Sequence, residues 1–317
     1  MDLEKAKTLF LEFLKTNKNK RFVIATHARA DIDTLSSAFA LSSVFPNSVI
    51  CVPDELNESA TMLANELNVK FEIIKNLDKR KFDGMIIADT SAYTLLKDAR
   101  EWNIVLIVDH HRSEGRDMQA EQAIIDEQSP SCAELVANIL PEITDKKIAF
   151  ALSCAIVSDT ARFKSGRKET FQTLAKLLSI ADASYQEVLK FGEPELASDV
   201  KIAVLKAFQR VNYQIVGNYI VATSEVGGNE GDASAAISEV ADVAFVANLR
   251  EKENECRVSA RARKHVTVAL HEVMKRVAMQ YGGNGGGHPK AAGAAIPKGK
   301  PSEVLKACVD AFSLKIK

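Results

Sequence analysis

The sequence predicts an α/β protein, with a parallel-sheet N-terminal domain followed by a smaller α/β C-terminal domain. Three observations carry that prediction. Short apolar runs recur, Phe22-Val23-Ile24-Ala25-Thr26, Met85-Ile86-Ile87-Ala88 and Val105-Leu106-Ile107-Val108, each giving way to polar residues and then to helical periodicity. Strands buried on both faces of a parallel sheet read this way. Phe191-Gly192-Glu193-Pro194 then breaks a long helical stretch, as a domain boundary does. With 317 residues the chain is long enough for two domains, and we place them at 1–190 and 201–317, with a linker at 191–200.

Taken in order, Leu3, Ala6, Phe10 and Leu14 share one face of a helix over 3–15. A strand at 21–26 runs into the loop His27-Ala28-Arg29-Ala30-Asp31-Ile32-Asp33, and a helix from Thr34 ends at Pro46-Asn47. Ser48 to Val52 reads as a strand, Glu55 to Leu67 as a helix and Phe71 to Ile74 as a short strand. Strands at 84–88 and 104–108 flank a short helical segment near Thr94 to Arg100, and a further short strand covers 123–125. Ser129 or Ser131 caps the next helix. From Asp145 the pattern is mostly helical, although Cys154-Ala155-Ile156-Val157 running into Ser158-Asp159 also matches the apolar-run signature of a fourth strand tip. Past the boundary come a helix over about 197–212, alternating segments at 213–224 and a helix from about Ser234. Strand-like runs at 243–250 and 256–261, a helix at 266–280, a glycine run at 282–287, a strand at 292–296 and a last helix at 302–313 complete the chain.

The formal net charge is −1. A protein that grips long nucleic acid carries a basic excess, so the balance favours a short anionic partner held by a few local cations. The five cysteines are far apart, without a Cys-x-x-Cys pair, and read as free thiols of a reducing compartment. The first residues lack the apolar core of a signal peptide, and no run has the length to span a membrane. The expectation is a cytoplasmic protein with no membrane partner; a homodimer is compatible with the sequence.

The apolar runs end in chemistry. Val105–Val108 stops at Asp109-His110-His111, Phe22–Thr26 at His27 followed by Asp31 and Asp33, Met85–Ala88 at Asp89, and Cys154–Val157 at Asp159. Burying such groups unpaired is costly, and in open α/β sheets sites form beyond the carboxyl ends of strands. Taken singly, an Asp or His there commonly just caps a helix or turn. Four such tips together call for another reason. Asp31, Asp33, Asp89 and Asp159 at one point would repel one another, whereas two divalent cations cancel four carboxylate charges and histidines complete the coordination. Mixed oxygen and imidazole ligands suit Mn2+, Mg2+, Fe2+, Co2+ or Zn2+, with imidazole counting somewhat against Mg2+; two divalent cations, Mn2+ first among these, are the expected cofactors. Asp31 and Asp33 can reach different ions from an irregular loop, and Asp89, on a central strand, can bridge them. Paired cations of that kind serve in-line phosphoryl transfer to water.

These motifs, in this order, resemble the DHH phosphoesterase superfamily. Its first motif, His-x-Asn-Pro-Asp-Gly-Asp-Ala, is here His27-Ala28-Arg29-Ala30-Asp31-Ile32-Asp33-Thr34, with the metal positions kept and Arg29, Ala30 and Ile32 replacing Asn, Pro and Gly. Asp89, Asp109-His110-His111 and Asp159 match the second, third and fourth motifs, and Ser131-Cys132-Ala133-Glu134-Leu135 looks like the family's Ser-Thr-Ala-Glu-Leu segment. The resemblance implies that His27 and Asp31 hold one ion, Asp33, His110 and Asp159 the other, and Asp89 both. It also implies catalytic roles for His111, at the substrate phosphate or leaving group, and for Asp109, which orients a histidine.

The C-terminal part resembles the type-1 DHH-associated domain, through Gly285-Gly286-Gly287-His288-Pro289-Lys290-Ala291-Ala292-Gly293 and Val258-Ser259-Ala260-Arg261. Glycines let backbone N–H groups approach an anion, and Arg261 and His288 add charge-assisted donors. Ser259, Gly286, Gly287, His288 and Arg261, with Arg29 and Arg112 beside the metals, are therefore the expected substrate-binding residues. A glycine-rich turn and solvated arginines are the plainer alternative. The resemblance is to the nanoRNase or oligoribonuclease branch. It implies hydrolysis of short RNA or DNA oligonucleotides, dinucleotides or nucleotide 3′-phosphates between domains that close about the linker. A RecJ-like single-strand exonuclease and a non-catalytic nucleotide-binding protein are the alternatives.

Overall fold

Phe22, Val23, Ile24 and Ala25 have no exposed surface, and that is what places strand β1 (Phe22–Ala25) at the centre of a sheet. Ile24 packs into a core built with helices, Val23 and Ala25 into a second core on the opposite face. The computed structural model describes residues 2–111, 115–192 and 196–316. It divides into two compact units, Met1–Glu195 and Leu196–Lys317.

The N-terminal unit runs α1 (Leu3–Asn17), β1, α2 (Ile32–Ser42), β2 (Val49–Val52), α3 (Glu58–Leu67), β3 (Glu72–Ile73), β4 (Gly84–Ala88), β5 (Ile104–Asp109), β6 (Gln122–Ile125), α4 (Cys132–Ile139), α5 (Lys146–Asp159), α6 (Lys168–Ala181) and α7 (Tyr185–Gly192). The strand order is β3-β2-β1-β4-β5-β6, and every pairing is parallel. The winding direction reverses between β1 and β4, so a crevice opens beyond their carboxyl ends. One face carries the helices and a core that includes Phe10, Phe22, Leu35, Leu106 and Ile156. The other is closed by 3-10 turns at 74–76, 79–81 and 97–101, which bring Ile74 and Ala99 onto Met85 and Ile107. Gly84 is needed where β4 and β5 slip register: a Cβ there would lie 2.5 Å from Val105 Cγ1.

Two expectations need correction in this unit. Cys154–Val157 is not a strand; it lies within the 14-residue helix α5, with Asp159 as its last residue. Ile148 to Val157 are buried almost throughout, packed among α2, α6 and α7, and a helix apolar on every side imitates a buried strand over four residues. The helical segment expected at 94–100 is a 3-10 turn, Lys97–Glu101. Helix α7 also extends through Phe191 and Gly192, so the structured chain reaches into the expected linker; residues 193–195 of that linker lie outside the described residues.

The C-terminal unit runs α8 (Ser198–Gln209), β7 (Asn212–Val216), β8 (Tyr219–Val226), α9 (Glu230–Ile237), β9 (Val243–Arg250), β10 (Glu255–Ala262), α10 (Leu270–Gln280), β11 (Asn284–Gly287), β12 (Ala291–Pro297) and α11 (Pro301–Ser313). Its sheet has the order β11-β12-β10-β9-β8-β7, antiparallel except for β8 with β9. Helices α8 and α9 cover one face through Ala207, Ala233 and Ile237; α10 and α11 cover the other through Val273, Val277 and Phe312. The glycine run is not a loop but the edge strand β11, paired with β12. All five cysteines are buried and unpaired. Among the described residues no helix is long and apolar enough to cross a membrane.

Candidate metal centre

The tips of β1, β4 and β5 and the end of α5 bring the expected ligands together. Asp31 caps α2, its Oδ1 accepting the N–H groups of Asp33 and Thr34 at 3.0 and 3.1 Å. The plain capping role is thus real, and it leaves the other carboxylate oxygen for a second task. Asp33, in the first turn of α2, reaches across to α4, where its two oxygens accept the N–H groups of Cys132 and Ala133 at 2.7 and 2.8 Å. The Ser-Cys-Ala-Glu segment therefore acts through its backbone, as a helix N-terminus that fixes an anion. Ser131 completes the cap with an oxygen that accepts the Glu134 N–H.

Asp89 sits between the two histidines. Its Oδ2 is 3.5 Å from His27 Nε2 and its Oδ1 is 3.4 Å from His110 Nε2. His110 Nε2 also lies 3.8 Å from Asp33 and 3.5 Å from Asp159. Both histidines direct Nδ1 at a backbone carbonyl, His27 at Ala28 (2.9 Å) and His110 at Ser129 (3.1 Å). A carbonyl accepts, so Nδ1 carries the proton and each Nε2 is turned toward the carboxylates. Asp89 adopts a left-handed backbone, φ 66°, a strained conformation for a non-glycine residue and one that clusters at functional sites.

Among the described residues, three sets of donor atoms lie within 4.8 Å of one another: His27, Asp31 and Asp89; Asp33, His110 and Asp159; and Asp89, His110 and His111. Asp89 Oδ1 is buried and, apart from His110 Nε2 at 3.4 Å, has no hydrogen-bond donor. Oxygen acceptors and imidazole nitrogens aimed at shared points, with a buried acceptor left over, fit divalent cations of the Mn2+ type.

The proton affinities report the same crowding. Burial opposes charge on His27, yet hydrogen bonds to Asp89 and the Ala28 carbonyl and the charges of Asp89 and Asp31 outweigh it, raising its pKa to about 9. His110 is likewise desolvated and is raised to about 10 by Asp89, Asp33 and Asp159. Burial, reinforced by Asp89 and Asp159, pushes Asp33 well above the usual carboxylate range, and burial raises Asp159 to about 6. Asp89 goes the other way: desolvation is overcome by His110 and His27.

Next to this cage, His111 directs Nδ1 at Asp109 Oδ1, 2.9 Å away, so Asp109 orients His111. Asp109 has no exposed surface and is held below the ordinary carboxylate range, because its hydrogen bonds to His111 and Ser91 outweigh desolvation. Arg29 is exposed and left-handed at φ 54°, its N–H on Asp54. Arg112 lies outside the described residues.

In the C-terminal unit, Ser259, Gly293 and Gly286 stand in register across β10, β12 and β11. They line a shallow depression with Glu230, Arg257 and Asn284. A Cβ on Gly286 would meet nothing within 4 Å, whereas one on Gly285 would lie 2.4 Å from the Met274 carbonyl. The glycine run thus has two reasons: Gly285 lets α10 pack close, and Gly286 leaves open floor. Gly287, His288 and Arg261 are not in that depression. They sit at the far end of the strands, where Arg261 pairs with Ala291 and the His288 N–H bonds the Ala291 carbonyl. Glu230, at the start of α9, and Arg257, on β10, escaped sequence reasoning because only the folded sheet and its covering helix bring them to Gly286.

A carboxylate and histidine cage at the switch point of a parallel sheet, followed by a mixed sheet with a glycine edge, is the fold of a DHH-type phosphoesterase. The chain belongs to the DHH family. Residues 21–158 match the DHH family N-terminal domain and 216–317 the DHHA1 domain. The uncharacterized protein MJ0988 of Methanocaldococcus jannaschii is 32% identical over 325 residues, covering 95% of this chain and 97% of that one. An exopolyphosphatase-related protein from Bacteroides fragilis superposes with a TM-score of 0.74 at 14% identity, over 98% of this chain and 96% of that one. RecJ from Thermus thermophilus, solved with Mn2+, gives 0.50 at 15% identity, over 99% of this chain and 55% of that one. At such identities the likeness is one of fold.

Proposed function

We propose that the protein is a two-metal phosphoesterase acting on short oligonucleotides, dinucleotides or nucleotide 3′-phosphates. The observation that carries this reading is Asp89, buried and set between His27 and His110, a member of one donor set with His27 and Asp31 and of another with His110 and His111. His27, Asp31 and Asp89 would hold one cation; Asp33, His110 and Asp159, with Asp89, the other. When bound, such a pair supplies an activated water and offsets charge on the phosphoryl oxygens. The Mn2+ bound by RecJ supports manganese as the resident metal.

The remaining work falls to the protein's own groups. His111, with Nδ1–H on Asp109, presents Nε2 to the substrate and gives a proton to the leaving oxygen, a contribution of about 10²–10⁴ in rate when well placed. In the C-terminal unit the open floor at Ser259, Gly293 and Gly286 takes part of the substrate, and Arg261 and His288, outside that depression, would add positive charge at the strand ends. A net charge of −1 supports short substrates over long strands.

The test is a substrate panel after chelator stripping and Mn2+ reconstitution: an RNA pentamer, the dinucleotide pApA, phosphoadenosine phosphate, a long single strand and pyrophosphate. Release of mononucleotide or phosphate from the small substrates is expected, with no release by Asp89→Ala. Degradation of the long strand alone selects a RecJ-like exonuclease. Tight nucleotide binding without turnover selects a binding protein, and turnover of pyrophosphate alone rejects the proposal.

A further inference from the structure

We infer that Ser91 and Arg116 are positioning residues that hold His111 in its working orientation, an inference that rests on the proposed role of His111. His111 follows the end of β5, its side chain half exposed and its ring against that of His110 with centroids 4.5 Å apart. Its restraints are polar. The N–H and Nδ1–H both reach Asp109 Oδ1, at 3.1 and 2.9 Å, and the carbonyl accepts from Arg116 Nη2 at 2.7 Å.

Each restraint is itself braced. Asp109 Oδ2 accepts the Ser91 hydroxyl at 2.6 Å, a bond buried from solvent. Ser91 is fixed in turn, its carbonyl accepting the N–H groups of Asp117 and Met118. Arg116 Nη2 is shared with Glu127 Oε1 at 2.9 Å. The backbone that carries Ser91 thus docks on the residues just after Arg116; one brace holds the His111 imidazole through Asp109 and the other holds its carbonyl. Without the Ser91 hydroxyl, the buried Asp109 oxygen has no side-chain donor, and the carboxylate can swing and release His111. A displacement of about 1 Å at a reacting group costs on the order of 10²-fold in rate. Neither residue bonds His27, Asp31, Asp33, Asp89, His110 or Asp159 through its side chain, so the loss is expected in turnover rather than in metal content.

The experiment uses the full chain, loaded with Mn2+ and saturated with pApA. His111→Ala is expected to lose about 10²–10⁴ in kcat. Ser91→Ala should lose about tenfold in kcat with KM and metal content unchanged, and Ser91→Thr, which keeps the hydroxyl, should recover most of it. Arg116→Ala should behave alike, with partial recovery in Arg116→Lys. The double variant Ser91→Ala/His111→Ala should be no slower than His111→Ala alone, because the two act through one group. An independent readout is the slowly exchanging His111 Nδ1 proton in the NMR spectrum of the metal-free protein. It should vanish in Ser91→Ala while the signals of His27 and His110 persist. A normal kcat in His111→Ala overturns the role of His111 itself. An inactive His111→Ala combined with an unchanged NMR signal in Ser91→Ala, additive losses, or metal loss that tracks kcat overturns the positioning role alone.

Discussion

Asp33 and Asp89 are both buried, and burial alone would raise both, yet their proton affinities shift in opposite directions. The difference lies in their neighbours: Asp89 touches two imidazoles, whereas Asp33 looks mainly at other carboxylates. In the metal-free protein His27 and His110, raised to about 9 and about 10, therefore carry protons at neutral pH and stand in for cation charge. Any stability they lend that state is fully present below the ordinary histidine value of 6.5 and fades as pH rises through about 9 and then about 10. A cation that takes the two Nε2 atoms must expel those protons. Metal uptake at pH 7 should release roughly two protons, and apparent affinity should climb with pH across the neutral range. Calorimetry in buffers of different ionisation enthalpy reads this directly; uptake without proton release would place the metal elsewhere.

At the scale of elements, the stretch after α5 holds the longest left-handed run among the described residues of the N-terminal unit. Ala161, Arg162 and Phe163 are three consecutive left-handed residues, φ 47°, 58° and 65°, just beyond Asp159. Phe163 anchors the turn against Phe171 and Tyr185, with ring centroids 4.8 and 5.9 Å apart. The strain turns the chain back on itself and leaves Asp159 at the exposed end of its helix, facing His110. Ala161→Gly should relieve about 1 kcal/mol and raise Tm by about 2–4 °C, with metal affinity unchanged; a lower Tm would show that the turn is not strained. The same region marks where sequence reasoning stopped. The tips at Asp89 and Asp109 were legible because a parallel strand is apolar on both faces and must end in something polar. Cys154–Val157 sent the same signal from inside a helix that is buried all round, and periodicity does not separate the two over four residues. The hold of α4 on Asp33 was invisible, since it runs from a side chain to backbone groups about a hundred positions away. The glycine strand was hidden because a run without side chains carries no period at all.

At the scale of the whole molecule, every proposed metal ligand, from His27 to Asp159, falls in Met1–Glu195, and every expected residue of the glycine depression falls in Leu196–Lys317. The N-terminal unit owns two hydrophobic cores on the two faces of its sheet and should fold alone. A fragment ending at residue 195 should take up Mn2+ with the affinity of the full chain and lose most turnover of pApA. Weak metal binding by the fragment would mean that the second unit completes the cage.

The grip of Asp33 on the start of α4 has a consequence for biosynthesis. The cage cannot close until the segment that begins at Cys132 has left the ribosome, and its last donor, Asp159, follows soon after. Domains that emerge first fold first, so the ion can be captured on a nascent chain while its second half is still being translated. Cellular supply of the cation would then act on an unfinished polypeptide, and starvation for the metal would be felt during synthesis rather than after release.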